Sequence, residues 1–387
     1  MLGLAELESL YGAERIRPVG DGALLDVEAS DINFSRLGGT MKVARILAVR
    51  PTTNWPELFD FLYESMPAHL DSLPDGTFNL GVSTYALDVT VPELNRNLLK
   101  LKKLIKAKHP VRIVPNKTNE LNSAQVLHNK LTHRGGWELL FYRDGQQTYL
   151  AQTMFVQDIE AYAARDQARP KRDARVGMLP PKLAQIIINL ATGQLESREK
   201  LVSRDSKLET ILDPFCGTGV ILQEALLMGY GTLGSDIEPK MVDFTQQNLD
   251  WLNKFTGFSG ILQSLAVADA TKHQWQSFNF VASETYLGRA FTSAPSPSLL
   301  KQNLNDVNTI LSKFLKNMSK HTKSGLRLCL AIPAWKSAGQ TVNLPLLANL
   351  TEMGYNRIAL KHVPFDELVY ARAGQFVGRQ LVLLERI

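Results

Sequence analysis

The amino-acid sequence predicts an α/β protein whose C-terminal half is one doubly wound sheet of seven strands. From Thr210 onward, short apolar runs alternate with longer segments that carry apolar residues at helical spacing, as in βαβ units. The stretch ILDPFCGTGVILQEALLMGYG, residues 211–231, predicts a strand, a tight turn with two glycines and a helix. In doubly wound sheets, ligands bind beyond the carboxyl ends of the strands, next to turns of this kind.

The seven predicted strands are apolar runs bounded mostly by glycine, proline, asparagine or aspartate. In chain order they are TILD, GTLGSD, ILQSLAVAD, NFVAS, GLRLCLAIP, NRIALKHV and RQLVLLER. The predicted helices between them include VILQEALLM, PKMVDFTQQNLDWLNKF and SPSLLKQNLNDVNTILSKFLKNM. Their alternation with the strands is what predicts a single sheet with helices on both faces.

The N-terminal part has a different pattern and predicts an α+β module. Its strand candidates are RLGGTMKVARIL, FNLGVSTY, PVRIVPN and WELLFYRDGQQTYLAQ, the last of which turns at Asp144-Gly145. The segment VPELNRNLLKLKKLIKAKH predicts an amphipathic helix rich in lysine. Basic residues and prolines crowd residues 165–180, which predicts a linker between the module and the sheet domain.

The composition indicates a soluble globular protein of the cytoplasm. The chain has 387 residues, 44% of them hydrophobic, which is enough for two domains with buried cores. Its two cysteines, Cys216 and Cys329, are too few for a disulfide framework and fit a reducing compartment. The opening residues lack the features of a signal peptide, and no apolar run reaches the ~18 residues of a membrane span. The net charge of +5 weakly favours an anionic partner.

Three kinds of ligand compete for the glycine turn at residues 217–219. A phosphate loop of the Walker type needs Gly-Lys-Ser/Thr at its end, but Val220 and Ile221 follow here. A dinucleotide fold needs a third glycine, which is absent, and Asp213 at the strand tip would repel a pyrophosphate. A carboxylate at that place suits a ligand with a positive end. S-adenosylmethionine is such a ligand, because it carries an ammonium and a sulfonium and no phosphate.

Acidic residues follow the next two predicted strands as well. Asp236 ends GTLGSD about twenty residues after the turn, where a carboxylate can accept both ribose hydroxyls. Asp236 could instead cap the helix that begins near Pro239, although Glu238 is also placed to be that cap. Asp269 ends the third strand and could bind the adenine amino group. Three acids at three successive strand ends predict S-adenosylmethionine as the cofactor.

The sequence resembles a known family at these residues. The cofactor half is similar to class I methyltransferases that methylate exocyclic amino groups and whose fourth motif is Asp/Asn-Pro-Pro-Tyr. More narrowly, RDQARPKRDARVGMLPPKLAQIIINLA followed by LDPFCGTG resembles the THUMP-containing tRNA guanosine-N2 methyltransferases, which modify the guanosine at position ten. RLGGTMKVARIL and LVYARAGQFVGRQLVLLER match the flanking patterns of that group, so the resemblance spans nearly the whole chain.

The resemblance implies an enzyme that transfers a methyl group from S-adenosylmethionine to the N2 amino group of a guanosine in tRNA. It also implies four segments, namely an N-terminal α+β subdomain at residues 1–70, a THUMP-like RNA-binding domain at 71–164, a linker at 165–180 and a Rossmann-like class I methyltransferase domain at 181–387. Carried onto this chain, the cofactor-binding residues are Asp213, Phe215, Cys216, Gly217, Gly219, Asp236, Ile237, Asp269 and Ala270.

The fourth motif departs from the family pattern, because NFVASETYLGRAF stands where Asp-Pro-Pro-Tyr is expected. Ser283 takes the acid's place in a strict alignment, and Glu284 takes it if one residue is deleted. Glu284 is favoured, since a carboxylate is the better acceptor for an amino group that becomes positively charged. Tyr286 is then the residue that stacks on the base, with the small Gly288 behind it. Two alternatives stay open: a tRNA- and cofactor-binding protein whose catalysis is lost, and an N6-adenine nucleic-acid methyltransferase.

Clusters of basic residues are the candidates for contacts with tRNA phosphates. They are Lys102, Lys103, Lys106, Arg112, Lys130, Arg165, Arg169, Lys171, Arg172, Arg175, Arg372 and Arg379. Arg379 lies on the last predicted strand and could instead pair with an acid. The histidines and cysteines show no metal-ligand spacing, so no metal is expected. A small activating subunit, which some members of the family use, stays open as a second partner.

Overall fold

The computed structural model of the protein describes residues 1–173, 178–193, 208–257, 260–289, 291, 295–337, 340–372 and 374–387. Their contacts divide them into two units. The larger unit contains Met1–Val27, Arg36–Gly39 and Tyr162–Ile387, and the smaller unit contains Glu28–Ser35 and Thr40–Ala161.

The helices and strands are numbered in chain order. The helices are α1 Leu2–Tyr11, α2 Trp55–Ser65, α3 Pro67–Leu70, α4 Val91–Lys106, α5 Ser123–His128, α6 Ile159–Gln167, α7 Pro181–Thr192, α8 Val220–Leu227, α9 Pro239–Thr256 and α10 Pro297–His321. The strands are β1 Ile16–Val19, β2 Gly22–Leu25, β3 Lys42–Arg50, β4 Phe78–Tyr85, β5 Val111–Ile113, β6 Gly136–Asp144, β7 Gln147–Val156, β8 Thr210–Asp213, β9 Gly231–Asp236, β10 Leu262–Val267, β11 Phe280–Glu284, β12 Arg327–Ser337, β13 Gln340–Val342, β14 Tyr355–Arg357, β15 Val369–Tyr370 and β16 Val377–Arg386.

A sheet of nine strands, counted over the described residues, is the centre of the larger unit. Its main path has the order β10-β9-β8-β11-β12-β16-β14, with β13 added to β12 and β15 added to β16. The first five strands of this path are parallel, whereas β16 is antiparallel to β12 and to β14. The seven strands of the main path correspond to the predicted ones. The two additional strands have three and two residues, too few to leave an apolar pattern in the sequence.

Both faces of this sheet are buried, which explains why its central strands are continuous apolar runs in the sequence. On β12, Leu328 and Leu330 pack with Phe314 of α10. Cys329 and Ala331 alternate with them and pack on the opposite face, with α7 and α8. Because β9, β8 and β11 are adjacent and parallel, their carboxyl ends meet at one edge of the sheet, where doubly wound folds bind ligands.

The first helix belongs to the larger unit and not to a separate subdomain of residues 1–70. Glu6 of α1 is buried and accepts hydrogen bonds from Gly38 N and Gly39 N, each at 2.9 Å, and from Asn189 Nδ2 at 2.8 Å. Burial raises the pKa of Glu6 to about 7. Since Asn189 lies in α7, this carboxylate connects α1 to a helix that packs on the sheet. The predicted boundary missed it, because hydrogen bonds between distant residues leave no local signal.

A five-stranded sheet in the order β3-β7-β6-β4-β5 is the centre of the smaller unit. Strands β6 and β7 form the predicted hairpin at Asp144-Gly145, and Gly145 has the positive φ, 59°, that the turn requires. The predicted lysine-rich helix is α4. Its apolar face contributes four buried residues to the core of this unit, namely Leu94, Leu98, Leu101 and Ile105.

Candidate active site

The glycine turn between β8 and α8 is closed by its own backbone and tied to β9. Gly219 N donates to Cys216 O at 2.7 Å, and Cys216 N donates to Ser235 O at 2.9 Å. Gly219 has φ +84° and Gly217 has φ +51°, a region that residues with a side chain rarely adopt. A Cβ on Gly217 would meet no atom within 4 Å. The backbone of the turn therefore borders open space that a ligand can occupy.

Two polar side chains of α9 hold the turn in this shape. Thr245 Oγ1 donates to Gly217 O at 2.8 Å, and Asn248 Nδ2 donates to Thr218 O at 2.9 Å. Both side chains are fully buried. Neither residue was among the predicted site residues. The signal that could have revealed them is their spacing of three residues, which places both on the buried face of the helix.

Asp236, predicted to bind the ribose, ends β9 beside the turn. Its Oδ2 accepts a hydrogen bond from Gly217 N at 2.9 Å, and its Oδ1 accepts one from Glu238 N at 3.0 Å. The N-cap residue of α9 is Glu238, whose side chain makes no capping bond, and Asp236 accepts from the backbone of that residue and not from the first turn of the helix. A carboxylate has about four acceptor positions, which leaves Asp236 able to accept further donors. Ile237 follows and is 62% exposed, which places an apolar surface beside this carboxylate.

Asp213, at the end of β8, is hydrogen-bonded to the neighbouring strand β11. Ser283 Oγ donates to Asp213 Oδ1 at 2.6 Å, and Phe215 N donates to the same oxygen at 3.2 Å. Only 2% of Asp213 is exposed. Burial raises the pKa of Asp213 to about 7, while the two hydrogen bonds act in the opposite direction. A positively charged ligand would stabilise the charged form of such a carboxylate.

Asp269 lies beyond the third strand, because β10 ends at Val267 and not at the predicted aspartate. Its Oδ1 accepts hydrogen bonds from Thr271 N at 2.9 Å and from Thr271 Oγ1 at 2.7 Å. These bonds lower the pKa of Asp269, and Lys272 Nζ lies 3.5 Å from Oδ2. Asp269 therefore stabilises its own turn, and the predicted contact with adenine would share its carboxylate with Lys272. Ala270, the other predicted adenine contact, is buried.

The sequence SETY, residues 283–286, forms the corner at the end of β11, and its polar side chains point in two directions. Ser283 is fully buried against Asp213. Glu284, the favoured acid, forms an ion pair with Arg379 of β16, whose Nε donates to Glu284 Oε1. Burial raises the pKa of Glu284, and the guanidinium of Arg379 opposes that shift. Tyr286 is 41% exposed, so its ring is accessible for stacking.

Three further residues that the sequence singled out are fixed by packing. The ring of Phe215 lies edge-on to Phe314, with centroids 5.1 Å apart. Cys216 is buried, which raises the pKa of its thiol well above the usual range. A Cβ on Gly288, which has φ +84°, would lie 2.5 Å from Asn303 Nδ2. This position after Tyr286 therefore requires glycine.

Three of the basic residues predicted to contact tRNA are engaged inside the larger unit. Arg379 is 3% exposed and pairs with Glu284. Arg165 Nε lies 2.9 Å from the fully buried Glu224 of α8. Arg169 is 3% exposed, and burial lowers the pKa of its guanidinium. These three are therefore less accessible to phosphates than the other candidates, and a local excess of basic residues does not reveal which of them the fold buries.

The other basic candidates remain accessible. Lys103, Lys106, Arg112, Lys130, Arg172 and Arg372 are exposed, and Lys102 and Lys171 are half-buried. Arg175 lies outside the described residues. Three of the accessible candidates lie in α4, two more lie elsewhere in the smaller unit (Arg112 and Lys130), and Lys171, Arg172 and Arg372 lie in the larger unit.

Neither a metal site nor a membrane-spanning helix is found in the part of the chain that the structure describes. No group of three or more histidine, cysteine, aspartate or glutamate side chains in these ranges could hold a metal ion. None of the helices in these ranges is long and apolar enough to cross a bilayer.

Comparisons with known proteins relate stretches of this chain to tRNA-modifying enzymes. No family model matches the sequence. A stretch of 86 residues is 42% identical to the tRNA (guanine(10)-N2)-dimethyltransferase of Methanothermobacter thermautotrophicus and covers 22% of each chain. A stretch of 109 residues is 31% identical to the enzyme of that name from Methanocaldococcus jannaschii and covers 27% of this chain and 28% of that one. The matched part is about a quarter of the length of these relatives.

The fold is shared with a solved structure along the whole chain. The crystal structure of TrmN from Thermus thermophilus matches 100% of this chain and 96% of its own, with a TM-score of 0.50. The sequence identity of that match is 17%, so the similarity concerns the fold. An α/β fold with a mixed sheet is therefore common to this chain and TrmN, and the activity has to be argued from the residues of the site.

Proposed function

We propose that this protein is an S-adenosylmethionine-dependent methyltransferase that acts on the N2 amino group of a guanosine in tRNA. The observation that carries the proposal is the convergence of Asp213, Asp236 and Glu284 at the carboxyl ends of three adjacent parallel strands, around a glycine turn. The relatives described above support the substrate class, since both are named tRNA guanine-N2 dimethyltransferases.

The residues around the turn suit S-adenosylmethionine better than a cofactor that contains phosphate. This cofactor supplies a methyl group bound to a positively charged sulfur. Asp213 would face its ammonium, and the free acceptor positions of Asp236 would bind its ribose hydroxyls. Ile237 and Asp269 would border its adenine. The open space beside Gly217 leaves room for its methionine part.

Gly219→Ala is expected to weaken cofactor binding. A Cβ there would lie 2.8 Å from Thr245 Cγ2, and the φ of +84° is unfavourable for alanine, so the turn has to shift. We expect the dissociation constant for S-adenosylhomocysteine, measured by calorimetry, to rise about tenfold or more, equivalent to about 1.4 kcal/mol. Gly257→Ala is the matched control, because Gly257 has φ +66° but no atom within 4 Å of a Cβ. The control should lower stability and leave affinity unchanged; equal affinities of the two variants would contradict this role of the turn.

At the corner after β11, positioning supplies most of the catalysis in this proposal. Glu284 accepts a hydrogen bond from the target amino group and orients the nitrogen lone pair toward the methyl group. Tyr286 stacks on the base. The amino group loses its proton after the new N–C bond has formed, so no strong base is needed beforehand. Ser283 acts through Asp213, to which its hydroxyl donates a hydrogen bond.

The smaller unit supplies the main tRNA-binding surface in this proposal, with residues 71–164 as the THUMP-like domain. The exposed face of α4 carries Arg96, Lys100 and Lys103 at helical spacing, and Arg112 is exposed on β5. No acidic residue occurs between positions 95 and 119 of the sequence. Positive charge without nearby acids is what binding of phosphates requires.

Lys100→Gln combined with Lys103→Gln is expected to weaken tRNA binding and to reduce its salt dependence. Each phosphate contact contributes about one unit to the slope of log affinity against log salt concentration, so the slope should fall by about two. Filter binding over a range of NaCl concentrations measures this slope. Lys313→Gln combined with Lys316→Gln is the control, since both lysines are exposed on α10 of the larger unit. If both double variants keep the wild-type slope, α4 is not the phosphate-binding face.

Nucleoside mass spectrometry of tRNA from a deletion strain and its parent tests the proposed reaction. Loss of N2-methylguanosine or N2,N2-dimethylguanosine, restored by the purified protein with S-adenosylmethionine, is the expected result. Loss of N6-methyladenosine would favour the adenine alternative. Cofactor binding with unchanged nucleosides would favour a protein whose catalysis is lost. This alternative is worth testing because Ser283 and Glu284 are already hydrogen-bonded to Asp213 and Arg379.

A further inference from the structure

A buried ion pair, Glu284 with Arg379, lies at the sheet edge of the candidate active site. In the strand registers, Glu284 is opposite Ala331, and Arg379 is opposite Pro333, two residues further toward the carboxyl end of β12. The pair therefore spans β12 and connects β11 with β16. The side chains are 15% and 4% exposed, so each reaches the surface only with a small part.

Among the residues that the structure describes, both members of the pair have hydrogen-bonding capacity that is not used. A guanidinium has five N–H donors, and the structure assigns one of them, on Arg379 Nε, to Glu284 Oε1. Within the described residues this is the hydrogen bond that Glu284 accepts, although a carboxylate has about four acceptor positions. The remaining acceptor positions of Glu284 thus lie beside the remaining donors of Arg379. The exposed ring of Tyr286 belongs to the second residue after Glu284. Such a pair can bind a planar ligand that carries the complementary groups.

We infer that the Glu284–Arg379 pair selects guanine as the target base, an inference that rests on the function proposed above. The Watson–Crick edge of guanine presents the N2 amino donor, the N1–H donor and the O6 acceptor in sequence. Glu284 accepts hydrogen bonds from the N2 amino group and from N1–H, and Arg379 donates to O6. Adenine presents a donor at N6 but an acceptor at N1. If the adenine amino group bound Glu284, the lone pair of N1 would face a carboxylate.

The charge of the pair makes this discrimination strong. An ionised carboxylate only accepts hydrogen bonds, whereas a protonated one could donate to N1 of adenine. Burial raises the pKa of Glu284, and the guanidinium of Arg379 opposes that rise and so favours the ionised form. A base with the wrong hydrogen-bonding pattern leaves polar groups of the site buried without partners. The free-energy cost of these unpaired groups is what lets such a site reject an analogue strongly.

Methyl transfer to a base analogue tests the inference in the chain of 387 residues. The substrates are two otherwise identical tRNA transcripts, one with the target guanosine found by nucleoside mapping and one with 2-aminopurine riboside there. This analogue keeps the reacting amino group and lacks both O6 and N1–H. We expect the wild type to prefer guanosine strongly in kcat/KM. Arg379→Met should reduce that preference roughly 10- to 100-fold, since methionine has no N–H to donate to O6 and one base-reading interaction is lost. An unchanged ratio would overturn the inference.

Arg357→Gln is the matched control. Arg357 of β14 is exposed, its guanidinium lies 4.3 Å from the centroid of the Phe365 ring, and its removal should leave the preference between the two substrates unchanged. If Arg379→Met fails to fold, Arg379→Gln, whose amide can still donate a hydrogen bond to Glu284, is measured instead, with a smaller reduction of the preference expected. A wild type that transfers no methyl group to any tRNA would overturn the proposed function. An active wild type whose Arg379→Met variant loses rate equally on both substrates would overturn only the base selection and leave a structural ion pair.

Discussion

Glu284→Ala is expected to lower the free energy of unfolding of the larger unit by about 3 kcal/mol, because it leaves the Arg379 guanidinium buried without its partner. Calorimetric melting of the purified protein measures this loss. Glu14→Ala is the matched control, since Glu14 forms an exposed ion pair with Lys361 at 3.0 Å. Exposed pairs contribute about 0–1 kcal/mol, so this variant should melt close to the wild type.

The double variant Glu284→Ala/Arg379→Met separates charge burial from packing. It removes both charges and keeps an unbranched apolar side chain at position 379, so it should regain much of the stability that Glu284→Ala loses. The double variant should nevertheless transfer no methyl group, because the acceptor for the target amino group is absent. If Glu284→Ala melts at the same temperature as Glu14→Ala, the Glu284–Arg379 pair is solvated in the protein, and its role in base selection loses its physical basis.

The strands and the cofactor turn could be predicted because their signals are local. Apolar runs bounded by turn residues mark six of the seven strands of the main path, all except β14, and the glycines of the turn do have positive φ. The positions of Asp213 and Asp236 at strand ends also follow from the local pattern. Irregular segments were less predictable. Strand β14 ends at Arg357, well before the end of the predicted run NRIALKHV, because that segment pairs with β16 over only three residues.

The partners of charged side chains could not be predicted from the sequence. Glu284 and Arg379 are separated by 95 positions, and Arg165 and Glu224 by 59. The position of Arg379 on a predicted strand did indicate that it could pair with an acid, but neither sequence context identifies which acid the fold brings to the arginine. Glu6 of α1 illustrates the same point, since its acceptor positions are used by Gly38, Gly39 and Asn189.

Raising the pH from about 6 to about 8 is expected to strengthen binding of S-adenosylhomocysteine, because Asp213 has to be ionised to attract its ammonium. Burial raises the pKa of Asp213 to about 7. Below that pH the charged fraction falls about tenfold per pH unit, so affinity should fall by up to that factor and should level off above the pKa. Calorimetric titrations across this range measure the curve.

Three variants identify the titrating group. Asp213→Asn should bind weakly and without this pH dependence. Ser283→Ala removes a hydrogen bond that lowers the pKa of Asp213, so the midpoint of the curve should move to higher pH. Asp269→Asn is the control, because hydrogen bonds lower the pKa of Asp269 and it stays ionised throughout this range. Its curve should keep the wild-type midpoint even if its affinity is lower.

Because of the same carboxyl group, the stability of the ligand-free protein is expected to change with pH in the direction opposite to the affinity. Folded Asp213 keeps its proton up to pH about 7, whereas the unfolded chain releases it near its ordinary pKa of 3.8. In that window the folded state binds more protons, so stability falls as pH rises, by about 1.4 kcal/mol per pH unit. Asp213→Asn should lack this component of the pH dependence and melt higher than the wild type at pH about 8. If Asp213→Asn has the same pH-dependent melting and the same affinity for S-adenosylhomocysteine as the wild type, this carboxylate does not bind the cofactor. The expected result would mean that the fold keeps a destabilising charge at neutral pH, which a positively charged cofactor neutralises on binding.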